Sequence, residues 1–309
     1  MNRHIVKYII KRVLLSVLVL VGVSILSFAI LHLTPGDPVS LMLPEGVSQE
    51  IMDDLREELG LNRPLYIQYF IYMQGVIKGD LGTSLFFKKP NLGLIINRLR
   101  ATFILGLVAI LGSLLFSIPL GIIAGVKQGS FIDLFATLFS LIGQSMSPVW
   151  LGILLIYIFS VKWQMLPVFG YGTLKGLILP ATTIGWQLAA LITRITRAGM
   201  IEILSEDYIL AIRAKGIGER KVLYRYALKN VLISITTIVG LQFAGLMGGA
   251  VVTENIFAWP GVGKLVVSAI YGRDFPLIQS IVLVVAVFFV GINLLVDILY
   301  TFIDPRMRY

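Results

Sequence analysis

Apolar residues fall along this chain in six long blocks free of Asp, Glu, Lys and Arg: 13–33, 101–126, 134–161, 176–193, 231–253 and 275–296. Each block reaches the roughly 17 to 25 residues with which a helix crosses a hydrocarbon core. Within lipid every backbone N–H and C=O must be satisfied internally, and blocks of this length do so as helices rather than as short alternating barrel strands. The pattern therefore predicts an all-α polytopic membrane protein of six transmembrane helices. Its spans are expected at about 9–33, 101–126, 132–161, 176–193, 231–253 and 275–302, in a single transmembrane domain over 1–309. Pro119, Pro148 and Pro180 are candidates for kinks or breaks. Gly121-x-x-x-Gly125 and Gly245-x-x-x-Gly249 have the spacing of close helix packing.

Two segments between the blocks carry patterns of their own. In the loop 34–100, Ser48 is placed to cap a short helix in which Ile51, Met52, Leu55 and Leu59 share a face, with Gly60 as the stop. A second apolar and aromatic stretch follows Pro64 and ends before Gly79. These read as an amphipathic cover on the outer membrane surface, or as a docking surface for an external partner. The loop 194–230 is too patterned to be a connector: 200–214 lacks Gly and Pro, and Ile201, Leu204, Tyr208, Ala211 and Ile212 recur near helical spacing. Gly216 and Gly218 break that pattern before a second basic helical segment from Glu219. Periodicity alone allows a rigid helical knob or an interfacial hairpin whose basic side chains lie against anionic lipid.

Charge orients the chain. An even number of spans puts both termini on one side, and the side richer in Lys and Arg is the cytoplasmic one. With the N-terminus inside, the inner segments hold fifteen of the 26 Lys and Arg, eight of them between Arg194 and Lys229. Seven of the remainder lie in the long loop 34–100, where charge has little topological weight. Both termini are thus expected in the cytoplasm of a multi-pass membrane protein, with membrane lipid as the surrounding partner. The N-terminal Arg3, Lys7, Lys11 and Arg12 precede an apolar stretch too long for a signal peptide, which is read as a retained first helix. A net charge of +9 is then accounted for by topology and not by nucleic-acid binding, because the cations flank spans and are not interleaved with stacking aromatics. At 14% charged and 57% hydrophobic, the chain leaves no room for a separate soluble domain.

Catalytic chemistry has little material here. Zero cysteines exclude disulfides and thiolate ligands, and the two histidines, His4 and His32, have no companions for a triad or a metal site. Pro260-Gly261-Val262-Gly263-Lys264-Leu265 approaches a phosphate-binding loop, but Ala258 stands where the first glycine belongs and Leu265 replaces the Ser or Thr. No catalytic, cofactor or metal site is assigned, and nucleotide-driven work is expected of other subunits.

The loop supplies the more specific signal. Asp207-Tyr208 followed by Arg213-Ala214-Lys215-Gly216 resembles the cytoplasmic loop of the integral-membrane permeases of binding-protein-dependent ABC importers, in the first-permease branch of the dipeptide, oligopeptide and nickel group. Of the broader family form (Glu-Ala-Ala, three residues, Gly, nine residues, Ile-x-Leu-Pro), Ala211, Gly216 and Leu228 match, whereas the Glu, the second Ala and the Pro are absent. Similar stretches extend along the whole chain: Leu33-Thr34-Pro35-Gly36-Asp37-Pro38, Gly79 to Ser84, Pro148-Val149-Trp150-Leu151-Gly152, Leu179-Pro180-Ala181, Glu254 to Gly261, Arg273-Asp274-Phe275-Pro276 and Asp304-Pro305-Arg306.

The resemblance implies a type I ABC importer permease. It would form half of the translocation path beside a second related permease, with two ATPase subunits carrying ATP and magnesium below, and an external binding protein delivering substrate. Glu206, Asp207, Tyr208, Ala211, Arg213, Ala214, Lys215, Gly216, Glu219 and Arg220 would then form the ATPase-coupling element. Polar residues inside the spans, Gln144, Ser145, Ser147, Gln187, Gln242 and Asn293, are candidates to line the path or to make interhelical hydrogen bonds. The implied substrate is a dipeptide or oligopeptide, with nickel or a metal chelate as the alternative in the same group. An ion-coupled secondary transporter is the alternative of another class, disfavoured by six charge-free blocks and no evident repeat. A scaffold or assembly factor would explain the spans but not the ordered motifs.

Overall fold

The structure is a computed structural model describing residues 3–33, 39–40, 46–58 and 62–303. The motif residues Thr34 to Pro38 and Asp304-Pro305-Arg306, together with Leu59 and Gly60, lie outside the described residues. Among the described residues the regular structure is helical, apart from one isolated bridge between Thr83 and Pro90. In chain order the helices are α1 (Arg3–Leu33), α2 (Gln49–Glu58), α3 (Leu65–Lys78), α4 (Asn91–Val126), α5 (Phe131–Ser145) and α6 (Pro148–Leu155), the last continuing as a π-helix (Ile156–Lys162). Next come α7 (Leu174–Leu204), α8 (Asp207–Ala214), α9 (Glu219–Lys221) with a π-helix (Val222–Ala227), α10 (Leu228–Gly249), α11 (Val251–Ile256), α12 (Val262–Tyr271) and α13 (Phe275–Ile303). Among the described residues five helical runs are long and apolar enough to cross a membrane, the run from Glu219 into α10 counted as one, and a sixth span results if α5 and α6 are counted together.

The chain divides into two compact units, 1–102 with 260–294, and 103–259 with 295–309. In the first, Ile95 and Leu99 of α4 pack with Val262, Leu265 and Ala269 of α12 and with Leu277 and Ile281 of α13. The amide of Val262 donates to Thr102 Oγ1 at 2.9 Å. Helix α3 ends at Gly79, whose φ of +79° is the left-handed cap that glycine adopts without steric cost. The loop beyond it is fastened by buried Asp274, which accepts from Ser84 Oγ and from the amides of Phe86 (3.1 Å) and Leu277 (3.2 Å). Helix α1 meets α3 through Ser24 Oγ and Tyr69 OH, 2.8 Å apart, and through the edge-on rings of Phe28 and Tyr69.

In the second unit α7 is the central element, burying thirteen residues along its length. Helix α4 approaches it through glycine: a Cβ on Gly121 would stand 2.5 Å from Thr196 Cβ, and one on Gly125 would stand 2.7 Å from Met200 Cβ. Gly121-x-x-x-Gly125 is therefore a packing pair, while Gly245 has no heavy atom within 4 Å of a Cβ and faces open space. Ser113 and Ser117 of α4 donate to the carbonyls of Gly185 (2.8 Å) and Ala189 (2.9 Å) on α7. Arg197 of α7 forms a bidentate ion pair with Asp133 in the first turn of α5, its Nη2 lying 3.0 Å from Oδ2.

Four element boundaries depart from the pattern; in one, the block expected as a single span over 231–253 is broken at Ala250, between α10 and α11. Helix α4 begins at Asn91, ten residues ahead of the expected 101, and carries Arg98 and Arg100 in its extra turns. The block at 132–161 is two helices meeting at 109°. Pro148 disfavours helical backbone at the preceding residue and suits the first helical position, so Ser147 becomes a cap, accepting from Val149 N at 3.3 Å. Pro119 and Pro180, by contrast, sit inside α4 and α7. Finally, α7 continues to Leu204, well past 193, and the helix expected over 200–214 is split at Ser205 and Glu206, where Glu206 takes an extended conformation.

Candidate coupling site

Helix α8 is a short helix held at both ends. Glu206 precedes it, Asp207 supplies a negative charge in its first turn where the helix dipole favours one, and Ile209 is wholly buried. After Lys215 the chain turns through Gly216 at φ +75°, a conformation that costs a residue with a Cβ about 1–2 kcal/mol. Gly218 then leads extended chain into α9. The turn is bridged by Arg213, whose Nε and Nη2 donate to Glu219 Oε2 (3.1 Å) and Oε1 (2.6 Å). A planar guanidinium fixes a carboxylate in two directions at once, so this contact sets the angle between the two helices more than it adds stability at an exposed position.

A second tie runs from the start of α8 to the root of α10: Asn230 Nδ2 donates to Tyr208 OH at 2.9 Å and to Tyr226 O at 3.1 Å. The π-helix places Val222 and Ala227, five residues apart, on one wholly buried face. Ala227 joins Met200, Ile192, Leu188, Val231 and Ile235 in the core of the unit, so the knob is rooted in membrane helices α7 and α10.

The exposed residues of α8 are Asp207, Tyr208, Leu210, Ala211 and Ala214. Positions 207, 210, 211 and 214 fall on one helical face, apolar at its centre, with Leu210 55% exposed. The periodicity reading put Tyr208, Ala211 and Ile212 in phase with Ile201 and Leu204 and passed over Ile209 and Leu210, whereas Tyr208 and Ala211 are exposed and Ile209 is the buried residue. The break at Ser205 and Glu206 resets the helical phase, so a count carried through from Ile201 comes out on the wrong side. Arg213 and Glu219 are committed to each other, while Lys215 and Arg220 project from the turn and from α9. Asn230 was missed; its position one residue before a charge-free block was the available signal.

Of the six polar candidates within the spans, four converge on the angle between α5 and α6. Gln144, Ser145 and Ser147 are exposed there, and Gln187 of α7 donates from Nε2 to the carbonyl of Met146 at 3.0 Å, replacing a helical bond lost at the break. Ser145 returns its hydroxyl to Leu141 O at 3.0 Å. Gln242 lies exposed on α10, and Asn293 donates to Phe289 O within α13 at 2.9 Å. Among the described residues no group of three or more His, Asp or Glu is placed to hold a metal ion.

Comparison with known proteins gives these geometries a context. Residues 117–309 match the family model described as binding-protein-dependent transport system inner membrane component, and residues 5–106 match the model of its N-terminal part. The dipeptide transport system permease protein of Alkalihalophilus pseudofirmus is 41% identical over 330 residues, spanning 98% of this chain and 99% of that protein. The oligopeptide transport system permease protein of Bacillus subtilis is 40% identical over 313 residues, and the dipeptide permease of Escherichia coli 37% over 335, with the same coverage. The inward-facing MetNI methionine ABC transporter shares the fold at a TM-score of 0.58 and 17% identity, over 69% of this chain and 97% of that one. The chain belongs to the binding-protein-dependent transport system inner membrane components, in the group of ABC importer permeases that includes the dipeptide and oligopeptide systems.

Proposed function

We propose that this permease forms half of a peptide translocation path, and that α8 is the element through which ATPase subunits drive it. The observation that carries the reading is the combination at α8 of an apolar outer face (Leu210, Ala211, Ala214) with a rigid mounting by buried Ile209 and the Arg213–Glu219 bridge. A short helix fixed in this way moves as a body, whereas a flexible loop would absorb an applied displacement. ATP and magnesium belong to the two partner ATPase subunits, a second related permease completes the path, and an external binding protein delivers the substrate. The loop of α8 lies in the cytoplasm, as do both termini, in keeping with the distribution of Lys and Arg.

Gly216→Ile tests the coupling. The site has room for the side chain, with no heavy atom within 4 Å of a Cβ, so the whole effect comes from forcing a β-branched residue into left-handed backbone. The complex of permeases and ATPases should still assemble in vesicles while ATP-driven uptake falls. Uptake at the wild-type rate with normal assembly would remove α8 from the coupling role.

A short peptide is the proposed substrate, supported by the relatives named for dipeptide, oligopeptide and glutathione transport. Titrating the partner binding protein with peptides, and with nickel with and without chelators, tests this. Peptide binding is expected; tight nickel binding without peptide binding would overturn the peptide assignment and leave the importer architecture intact.

A further inference from the structure

Beside α8, and not part of its apolar face, the segment from Gly218 to Lys229 carries cations that the coupling geometry does not use. Val222 and Ala227 occupy the buried side of the π-helix. The same wide turn brings Arg220, Lys221, Tyr224 and Arg225 together around an open cleft on the opposite side, with Gly218 and Glu219 at its end. Glu219 is already held by Arg213. The side chains of Arg220, Lys221, Arg225 and Lys229 have no hydrogen-bond or ion-pair partner among the described residues. Tyr224 is 56% exposed, and Lys229, one turn further along, is exposed as well.

We propose that Arg225 and Lys229, flanked by Tyr224, bind the phosphate of an anionic lipid headgroup at the inner surface of the membrane. The inference rests on the cytoplasmic placement of this loop proposed above. Depth favours lipid over the ATPase subunits. The chain from Glu219 to Gly249 is continuous helix, α and π, and its charge-free part starts at Val231. At about 1.5 Å per residue, Lys229 and Arg225 lie about 3 and 9 Å outside the hydrocarbon boundary, and Lys221 about 15 Å. The headgroup layer is about 5–7 Å thick, so Lys229 falls within it and the long stem of Arg225 reaches back into it. Tyr224 supplies an aromatic body with a polar tip, the chemistry enriched at that interface. A headgroup bound here would brace the base of α10 against the bilayer while α8 is displaced.

The test uses the full complex with its ATPase subunits, reconstituted into nanodiscs of equimolar phosphatidylglycerol and phosphatidylcholine. After mild detergent extraction, retained lipid is measured by mass spectrometry. Wild-type complex should retain phosphatidylglycerol in preference, and Arg225→Gln with Lys229→Gln should weaken retention by about fivefold per cation removed. Lys162→Gln with Lys175→Gln, an equal loss of charge elsewhere, should leave retention unchanged. Equal retention by wild type and the Arg225/Lys229 variant overturns the proposal. Unchanged lipid with loss of the ATPase subunits overturns it too, and reassigns the cations to an acidic protein surface. If the double variant does not insert, Arg225→Gln alone and a salt titration of wild type take its place, and retention that resists both overturns the site. A Ser205→Cys variant reacting only from outside would instead defeat the inward placement itself.

Discussion

Single residues in this chain show how much a hydropathy pattern leaves unsaid. Gly121 and Gly245 have the same i, i+4 glycine signature, yet the first is pressed against Thr196 and the second faces nothing within 4 Å. Spacing records the absence of a side chain, and only the packed neighbour decides whether that absence is needed. Gly121→Val is expected to force α4 away from α7 and lower stability by about 1–3 kcal/mol, read as a drop in thermal unfolding temperature in detergent. Gly245→Ala should leave stability equal or slightly raised, since alanine is the better helix former by up to about 1 kcal/mol. A fall in the second comparable to the first would contradict the packing described. Asp133 was similarly hidden: it stands one residue before a charge-free block, and its bond to Arg197, 64 positions away, leaves no trace in local pattern. Removing its charge as Asp133→Asn leaves Arg197 without its counterion and should lower stability by about 1–3 kcal/mol by the same measurement.

At the scale of elements, existence was legible and direction was not. The six charge-free blocks all contain helix, because length and apolarity are enough to demand internally satisfied backbone. A break at Pro148 was among those expected, but the 109° angle between α5 and α6 was not legible, since Ser147 and Pro148 lie within a block of uniform hydropathy and hydropathy carries no information about angle. The break before α8 was hidden for a related reason: Ser205 and Glu206 are neither Gly nor Pro, and the cap is made by backbone conformation alone. That break sets which face of α8 points outward, and Leu210 at the centre of that face can be tested. Leu210→Glu should keep the permease inserted and paired with its partner permease while weakening co-purification of the ATPase subunits about tenfold, as expected for a buried charge replacing an apolar anchor at an interface. Ala211→Ser, small and on the same face, should have little effect. Undiminished co-purification of Leu210→Glu would mean that the apolar face is not where the ATPase sits.

For the molecule as a whole, the sequence reached the family because its motifs keep their order over nearly the entire length, and no single motif would have sufficed. Orientation rests on charge asymmetry, which is directly testable because the chain has no cysteine. Ser48→Cys should react with an impermeant thiol reagent in cells whose outer membrane, if present, is permeabilised, and Ser205→Cys should react only after the inner membrane is opened. The reverse pattern would invert the topology. The corner at Met146 and Ser147 has one more consequence, for water and not for the protein. Helix α5 has fifteen residues and is about 22 Å long, well short of a hydrocarbon core of about 30 Å. The exposed amide of Gln144 and the hydroxyl of Ser147 therefore end at membrane depth, where polar side chains face protein or a water-filled cavity and not lipid. Ser147→Cys should accordingly react with a small water-soluble thiol reagent in the inserted complex, and resistance to it would set the corner against lipid.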